Sequence, residues 1–225
     1  VQIDQYARTF DLIVQRTQAH GGERGDLMVE VLSTCPRPLA EVLARHELGR
    51  FRVLQKTDVE NPQDVYRSDV AQPQDWIMLG NHDTPPLLAV LDRWQGTDEW
   101  GRRAAYLADR LSVDAVDRAV LETRLIQDRA AMLTALFADL FRGPARNVLI
   151  FWTDLFGVRE VYNRPGVVDG TNWTLRVPPQ LRPFLSGCPR PRRSPRSGPR
   201  PRLGSTGKAP RPGRRGPRAQ YFIAK

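Results

Sequence analysis

Four short apolar runs are spaced along this chain as the strands of a layered α/β fold would be. They are Leu27-Met28-Val29-Glu30-Val31-Leu32, Phe51-Arg52-Val53-Leu54-Gln55, Trp76-Ile77-Met78-Leu79-Gly80 and Val148-Leu149-Ile150-Phe151-Trp152. Each has strand length, and helical patterns separate them. Residues 5–19 carry Phe10, Ile13 and Val14 on one face and stop at Gly21-Gly22. Pro36 and Pro38 open a helix with Leu39, Val42 and Leu43 inward, closed by Gly49. Residues 57–75, broken by Asn61-Pro62 and Gln72-Pro73, read as irregular. Thr84 is a candidate N-cap with Pro85 at the first helical position. Two helices are expected after residue 97, one carrying Trp100, Ala104, Leu107 and Leu111, the other Leu133, Leu136, Phe137, Leu140 and Phe141. Such alternation implies parallel strands. Four strands do not close a barrel, but they suit the C-terminal half of an eight-stranded β/α barrel whose first half precedes Val1. On the pattern alone an open parallel sheet stays possible.

Charge divides the chain in two. The net charge of +9 comes from 34 basic and 25 acidic residues, but residues 186–225 hold 12 of the basic ones and no acidic one. Residues 1–185 are therefore mildly acidic, and they form the expected catalytic portion. The tail at 186–225, rich in Pro, Arg and Gly, lacks the apolar surface to offset ordering and is expected to be disordered. A shifted reading frame in a GC-rich gene is the favoured account of it. A nucleic-acid partner would rest on this tail alone, which has no aromatic residue before Tyr221-Phe222 for base stacking.

No run approaches the ~20 apolar residues of a membrane span, and no leader is visible, so no membrane partner is expected. Cys35 and Cys188 are too few for a disulfide framework, which fits a reducing, cytoplasmic setting. His20, His46 and His82 show no metal-ligand spacing. No metal or other cofactor is expected.

In a β/α barrel the reacting groups project from the C-terminal ends of strands. Two carboxylates hold such places: Glu30 in the first apolar run and Asp83 just past the third. Glycoside chemistry uses carboxylates in this way, one as nucleophile and one as acid/base, while a further one can hold sugar hydroxyls as the ring distorts. Plainer roles compete. Asp83 can cap the following helix, which stands level with a reactive role on periodicity. Glu30 facing solvent, or paired with Arg24 or Arg37, is the favoured reading from pattern alone. His82 and the five tryptophans are by themselves more often structural than catalytic.

A family resemblance shifts that balance. The segment from Leu27 to Ser33, followed after one helix by Val53-Leu54-Gln55, resembles the Ala-Glu-Asp-Leu-Gly strand end and Val-Leu-Gln strand of amylomaltases and disproportionating enzymes, the 4-α-glucanotransferases. Asn81-His82-Asp83-Thr84 resembles their Thr-His-Asp-Asn-Asp-Thr motif. Asn163-Arg164-Pro165-Gly166, then Asn172-Trp173 and Arg176, resembles their closing pattern. The match runs from about residue 5 to 180.

That resemblance implies a retaining β/α barrel that moves α-1,4-glucan segments between a maltodextrin donor and a sugar acceptor. It implies Glu30 as acid/base, Asp83 as transition-state stabiliser, and His82 with Asn81 at the donor sugar. Asn163, Gly166, Asn172 and Trp173 fall on a loop bordering the cleft. The family's nucleophile, an aspartate in an Arg-x-Asp-His motif before the glutamate, has no counterpart in residues 1–29, so the chain alone is expected to be inactive. Val31 stands where the family has Asp, and Pro85-Pro86 where it often has polar residues. The alternative is a non-catalytic glucan-binding or nucleic-acid-associated protein on a degenerate half-barrel.

Overall fold

The runs at 51–55, 76–80 and 148–152 become three neighbouring parallel strands: β1 (Phe51–Val53), β2 (Trp76–Met78) and β3 (Asn147–Leu149). The computed structural model describes residues 2–31, 35–177, 179 and 218–220. The chain divides into two compact units, Val1–Leu175 with Pro217–Lys225 and Arg176–Gly216. All elements named below lie in the first unit. Phe51 is level with Trp76, and Trp76 with Asn147, so the strands start together.

A fourth strand, β4 (Arg218–Gln220), pairs parallel with β3. It comes from the tail that composition marks as unstructured, the rest of which lies outside the described residues. The open edge of β3 carries backbone groups that require partners, and a passing segment can supply them whatever its side chains. The run at 27–32 yields only one parallel bridge, Val29 with Arg50, in which Phe51 N–H donates to the Val29 carbonyl at 3.3 Å.

The helices are α1 (Gln2–Ala19), α2 (Arg37–Arg45), α3 (Leu87–Trp94), α4 (Asp98–Leu111), α5 (Ala115–Gln127), α6 (Arg129–Asp139) and the one-turn α7 (Trp152–Leu155). Three helices, rather than the expected two, lie between residue 97 and β3. The additional one is α5, whose N-terminus is capped by Asp114 accepting from Val116 and Asp117 N–H. Asp128 caps α6 in the same way, through Ala130 and Ala131. Helix α5 buries Leu125 yet exposes Val116 and Val120, so it is apolar on both sides and its period is blurred. None of the described helices is long and apolar enough to cross a membrane.

Successive residues of β2 point to opposite faces, and all three are buried. Ile77 and Val148 face a core made with Leu87 and Leu91 of α3, Leu107 of α4 and Leu136 of α6. Trp76 and Met78 face the other way, where they meet Val53 and Leu149 from the neighbouring strands, with Phe51 and Tyr66. The helices of the main core thus cover one face of the sheet, and the second face packs its own strand residues together.

The irregular stretch at 57–75 is held by buried charge pairs rather than by regular structure. Arg52 of β1 donates to Asp75 at 2.6 Å, and Asp75 also accepts from Arg50 and Gln72 N–H. Asp139 of α6 accepts from Ser68 and from Arg110 of α4. Gly49 does more than end α2: a Cβ there would overlap the Gln74 carbonyl, so two backbone segments pass in direct contact just ahead of β1 and β2.

Candidate active site

Strand β2 stops at Met78 because the chain turns sharply over Gly80–Pro86 before entering α3. Asn81 forms the turn with its own groups. Its side-chain oxygen accepts Asp83 N–H at 3.0 Å, its carbonyl accepts Thr84 N–H at 3.2 Å, and its N–H donates to the Thr84 hydroxyl at 2.8 Å. Thr84 therefore closes the turn instead of capping a helix. Helix α3 starts at Leu87 with Pro86 as its N-cap, two residues later than the sequence suggested. Both prolines lack an N–H, which leaves Leu87 to offer the first helical donor.

The turn lifts His82 and Asp83 past the C-terminal end of β2, each about one-third exposed at the side chain. Asp83 does not cap α3. Its Oδ1 accepts the Asn163 side-chain amide at 2.6 Å, and His82 Nε2 lies 3.3 Å from the same oxygen. Asn163 N–H also donates to the His82 carbonyl at 3.1 Å, so the 163 loop is bonded to the turn twice. A charge-assisted contact as short as 2.6 Å fixes the carboxylate's direction.

An aromatic group adjoins the carboxylate. The Trp173 ring lies 5.1 Å from the His82 ring and 5.3 Å, edge-on, from Tyr162, which meets Phe151 edge-on at 5.7 Å. Trp173 N–H donates to the Tyr162 carbonyl at 3.0 Å, and Trp173 is 50% exposed with φ 65. The left-handed backbone is uncommon for a bulky side chain. The loop between Asn163 and Trp173 is knitted by Asn172, which accepts Arg164 N–H at 3.0 Å and donates to the Val167 carbonyl at 2.8 Å. Gly166 turns the loop at φ 80.

Two segments 80 residues apart in sequence thus converge, and His82, Asp83, Asn163, Gly166, Asn172 and Trp173 belong to one constellation. Asn81 sits beneath it, 8% exposed, with its side chain committed to the turn. Glu30 stands apart. It is exposed, one residue past the Val29–Arg50 bridge, on the edge of β1 away from β2. The register makes it level with Phe51 at the start of β1, and two strand spacings of about 4.8 Å separate its strand from β2. Among the described residues it pairs with neither Arg24 nor Arg37; Arg37 is taken by Glu41 at 2.8 Å.

One residue escaped the sequence reading. Asp154 of α7 is 6% exposed, and its Oδ1 accepts Leu87 N–H at 2.8 Å while its Oδ2 is buried without a hydrogen-bond partner. Burial pushes its carboxyl from an ordinary 3.8 up to about 6, against the lowering effect of the Leu87 N–H. Asp154 stands as far past Leu149 as Asp83 stands past Met78, so the rule that selected Asp83, a carboxylate just past a strand, applies to it as well.

The chain superposes on the amylomaltase from Streptococcus agalactiae, solved in complex with acarbose, with a TM-score of 0.52 at 13% identity, over 68% of this chain and 28% of that one. This is the amylomaltase fold. The amylomaltase from Corynebacterium glutamicum matches at a TM-score of 0.47 and 17% identity, over 65% of this chain and 24% of that one. The chain thus spans only about a quarter of the length of these amylomaltases. No protein-family model and no curated protein sequence matches it. The amylomaltase fold over two thirds of the chain, with a small parallel sheet at its centre, agrees with the resemblance read from the motifs.

Proposed function

We propose that this chain is part of a 4-α-glucanotransferase and forms the C-terminal half of its β/α barrel. The carrying observation is the Asp83 carboxylate at the C-terminal end of β2, held at one oxygen by Asn163 and His82 beside the exposed Trp173 ring. On this reading Asp83 holds sugar hydroxyls as the ring flattens, an interaction that gains strength only in the transition state. His82 contacts the donor sugar, Asn81 shapes the turn that presents it, and Trp173 supplies an apolar ring for a sugar face. Asn163, Gly166 and Asn172 hold the loop that borders the cleft.

The one-sided cover of the sheet supports the barrel over an open doubly wound sheet, which would carry helices on both faces. Glu30 is the acid/base: it protonates the leaving sugar, then as base activates an acceptor hydroxyl in a retaining double displacement. The role requires Glu30 to reach the Asp83 end of the sheet, farther along its strand than the Val29–Arg50 bridge sets it. The nucleophile belongs to the barrel half that this sequence does not contain. The partners are a maltodextrin donor and a sugar acceptor in the cytoplasm, and the chemistry calls for no cofactor.

Titration with maltoheptaose, followed by tryptophan fluorescence, tests the sugar site. The response is expected to vanish in Trp173→Ala, and no response from the unaltered chain refutes the reading. Maltotriose incubated with residues 1–225 alone is expected to give neither glucose nor longer maltodextrins. Robust products would place a nucleophile within this chain.

A further inference from the structure

The buried carboxylate of Asp154, on α7, bonds the far end of the turn that carries His82 and Asp83 and lies beside its near end. At the far end, Asp154 Oδ1 accepts Leu87 N–H at 2.8 Å. At the near end, a Cβ added to Gly80 would lie 3.3 Å from Asp154 Oδ2, 2.8 Å from the Thr84 hydroxyl and 2.5 Å from Gln55 Nε2. Asp154 thus bonds the turn at Leu87 with one oxygen and leaves the other close to Gly80. With Pro85 and Pro86 unable to donate, no backbone N–H nearer to α3 than that of Thr84 is available, and Thr84 N–H is already bonded to Asn81. The Leu87 bond is therefore what ties the end of the turn to α7.

We propose that Asp154 is a positioning residue for Asp83: it holds the turn that ends at Leu87 against α7 and so sets where the His82–Asp83 pair meets Asn163. Asp154 itself touches no reacting atom. The other side chains around Gly80, Gln55 and Thr84, are uncharged, and the influence of Asp154 travels through the backbone it holds. The argument explains two otherwise unconnected facts. A Cβ at position 80 would overlap the Gln55 and Thr84 side chains and press against Asp154 Oδ2. A carboxyl is also kept in a site where burial opposes its ionisation, because a shorter or apolar side chain would leave Leu87 N–H without a partner.

The role bears on catalysis only if the glucanotransferase reading holds, so the test reads the turn without sugar. In ¹H–¹⁵N spectra of the whole 225-residue chain, the Asn163 side-chain amide reports its bond to Asp83. Asp154→Ala removes the acceptor and is expected to move that amide toward the position of a solvent-exposed Asn, while resonances of α4–α6 stay in place. Asp154→Asn keeps an oxygen for Leu87 and is expected to leave the Asn163 amide near its native position. Gly80→Ala, which crowds the same space from the other side, is expected to move it as Asp154→Ala does.

A folded Asp154→Ala with an unchanged Asn163 amide overturns the proposal, as does a folded Gly80→Ala with native spectra. Unfolding of both would make Asp154 a residue of the whole fold and equally overturn a role confined to the turn. Maltoheptaose added to the unaltered chain separates the two readings. Unperturbed Asn163 and Trp173 resonances would remove the sugar site and leave the brace standing.

Discussion

Replacing Asp154 with Asn should gain stability relative to the wild type as pH rises from acid to neutral, and the size of that gain follows from its environment. In the unfolded chain the carboxyl ionises at its ordinary 3.8; folded, burial moves it to about 6. The raised value means that the folded state prefers the protonated form. Stability from this group is fully present below pH 3.8, falls as pH rises toward 6, and is lost above it. A tenfold change in proton affinity is about 1.4 kcal/mol, so the ionised group costs about 3 kcal/mol at pH 7 and above, an order-of-magnitude figure.

The amide variant cannot ionise, while its oxygen can still accept Leu87 N–H. Its new NH₂ adds a donor to a buried place, at roughly 1–3 kcal/mol whatever the pH. The difference between variant and wild type therefore carries a fixed offset and a pH-dependent part. Asp139, also raised mainly by burial, titrates in the same direction in both proteins and cancels in the difference. Urea unfolding at pH 4, 5, 6, 7 and 8 measures this. The variant should gain on the wild type by about 3 kcal/mol between pH 4 and 8, most steeply around pH 5 to 6. A difference that stays flat across that range would falsify the burial argument for Asp154.

Three further outcomes follow from particular contacts. Asn163→Ala removes the 2.6 Å bond to Asp83; because the site is partly exposed, it should cost only about 1 kcal/mol in urea unfolding while weakening maltoheptaose binding through the loosened loop. A binding constant that does not change would detach Asn163 from the sugar site. Gly49→Ala forces a Cβ into the Gln74 carbonyl and should destabilise by roughly 1–3 kcal/mol or more; a neutral thermal midpoint would show that the two segments separate easily. In the complete enzyme, Glu30→Gln should lower maltotriose disproportionation by about 10²–10⁴-fold with the fold intact, and a loss below tenfold would remove Glu30 from the acid/base role.

What the sequence made legible follows the physics of each signal. Strand β2 was plain because both of its faces are buried, so Trp76, Ile77 and Met78 form an unbroken apolar run closed by Gly80. Helix α4 was plain because Trp100, Ala104 and Leu107 repeat at helical spacing against charged neighbours. Helix α5 was hidden by its outward valines, and α7 by the apolar Ile150-Phe151-Trp152, which extends the β3 pattern past the residue where pairing stops.

The site divides along the same line. Asp83 and Asn163 were each legible as members of short motifs, but nothing in either motif states that one donates to the other. That contact depends on how α3 to α6 return the chain to the end of β3, which is a property of packing. Asp154 marks the limit most clearly. Its importance lies in spanning Gly80 and Leu87, two backbone positions that carry no reactive group, and a search for chemistry-bearing side chains passes over both. Glu30 shows the converse, a residue singled out by motif whose place depends on strand pairing. A single bridge at Val29 leaves its carboxylate exposed. The same bridge fixes Glu30 level with Phe51, at the opposite end of the sheet from Asp83, so bringing the two carboxylates together as proposed requires a different register of that strand.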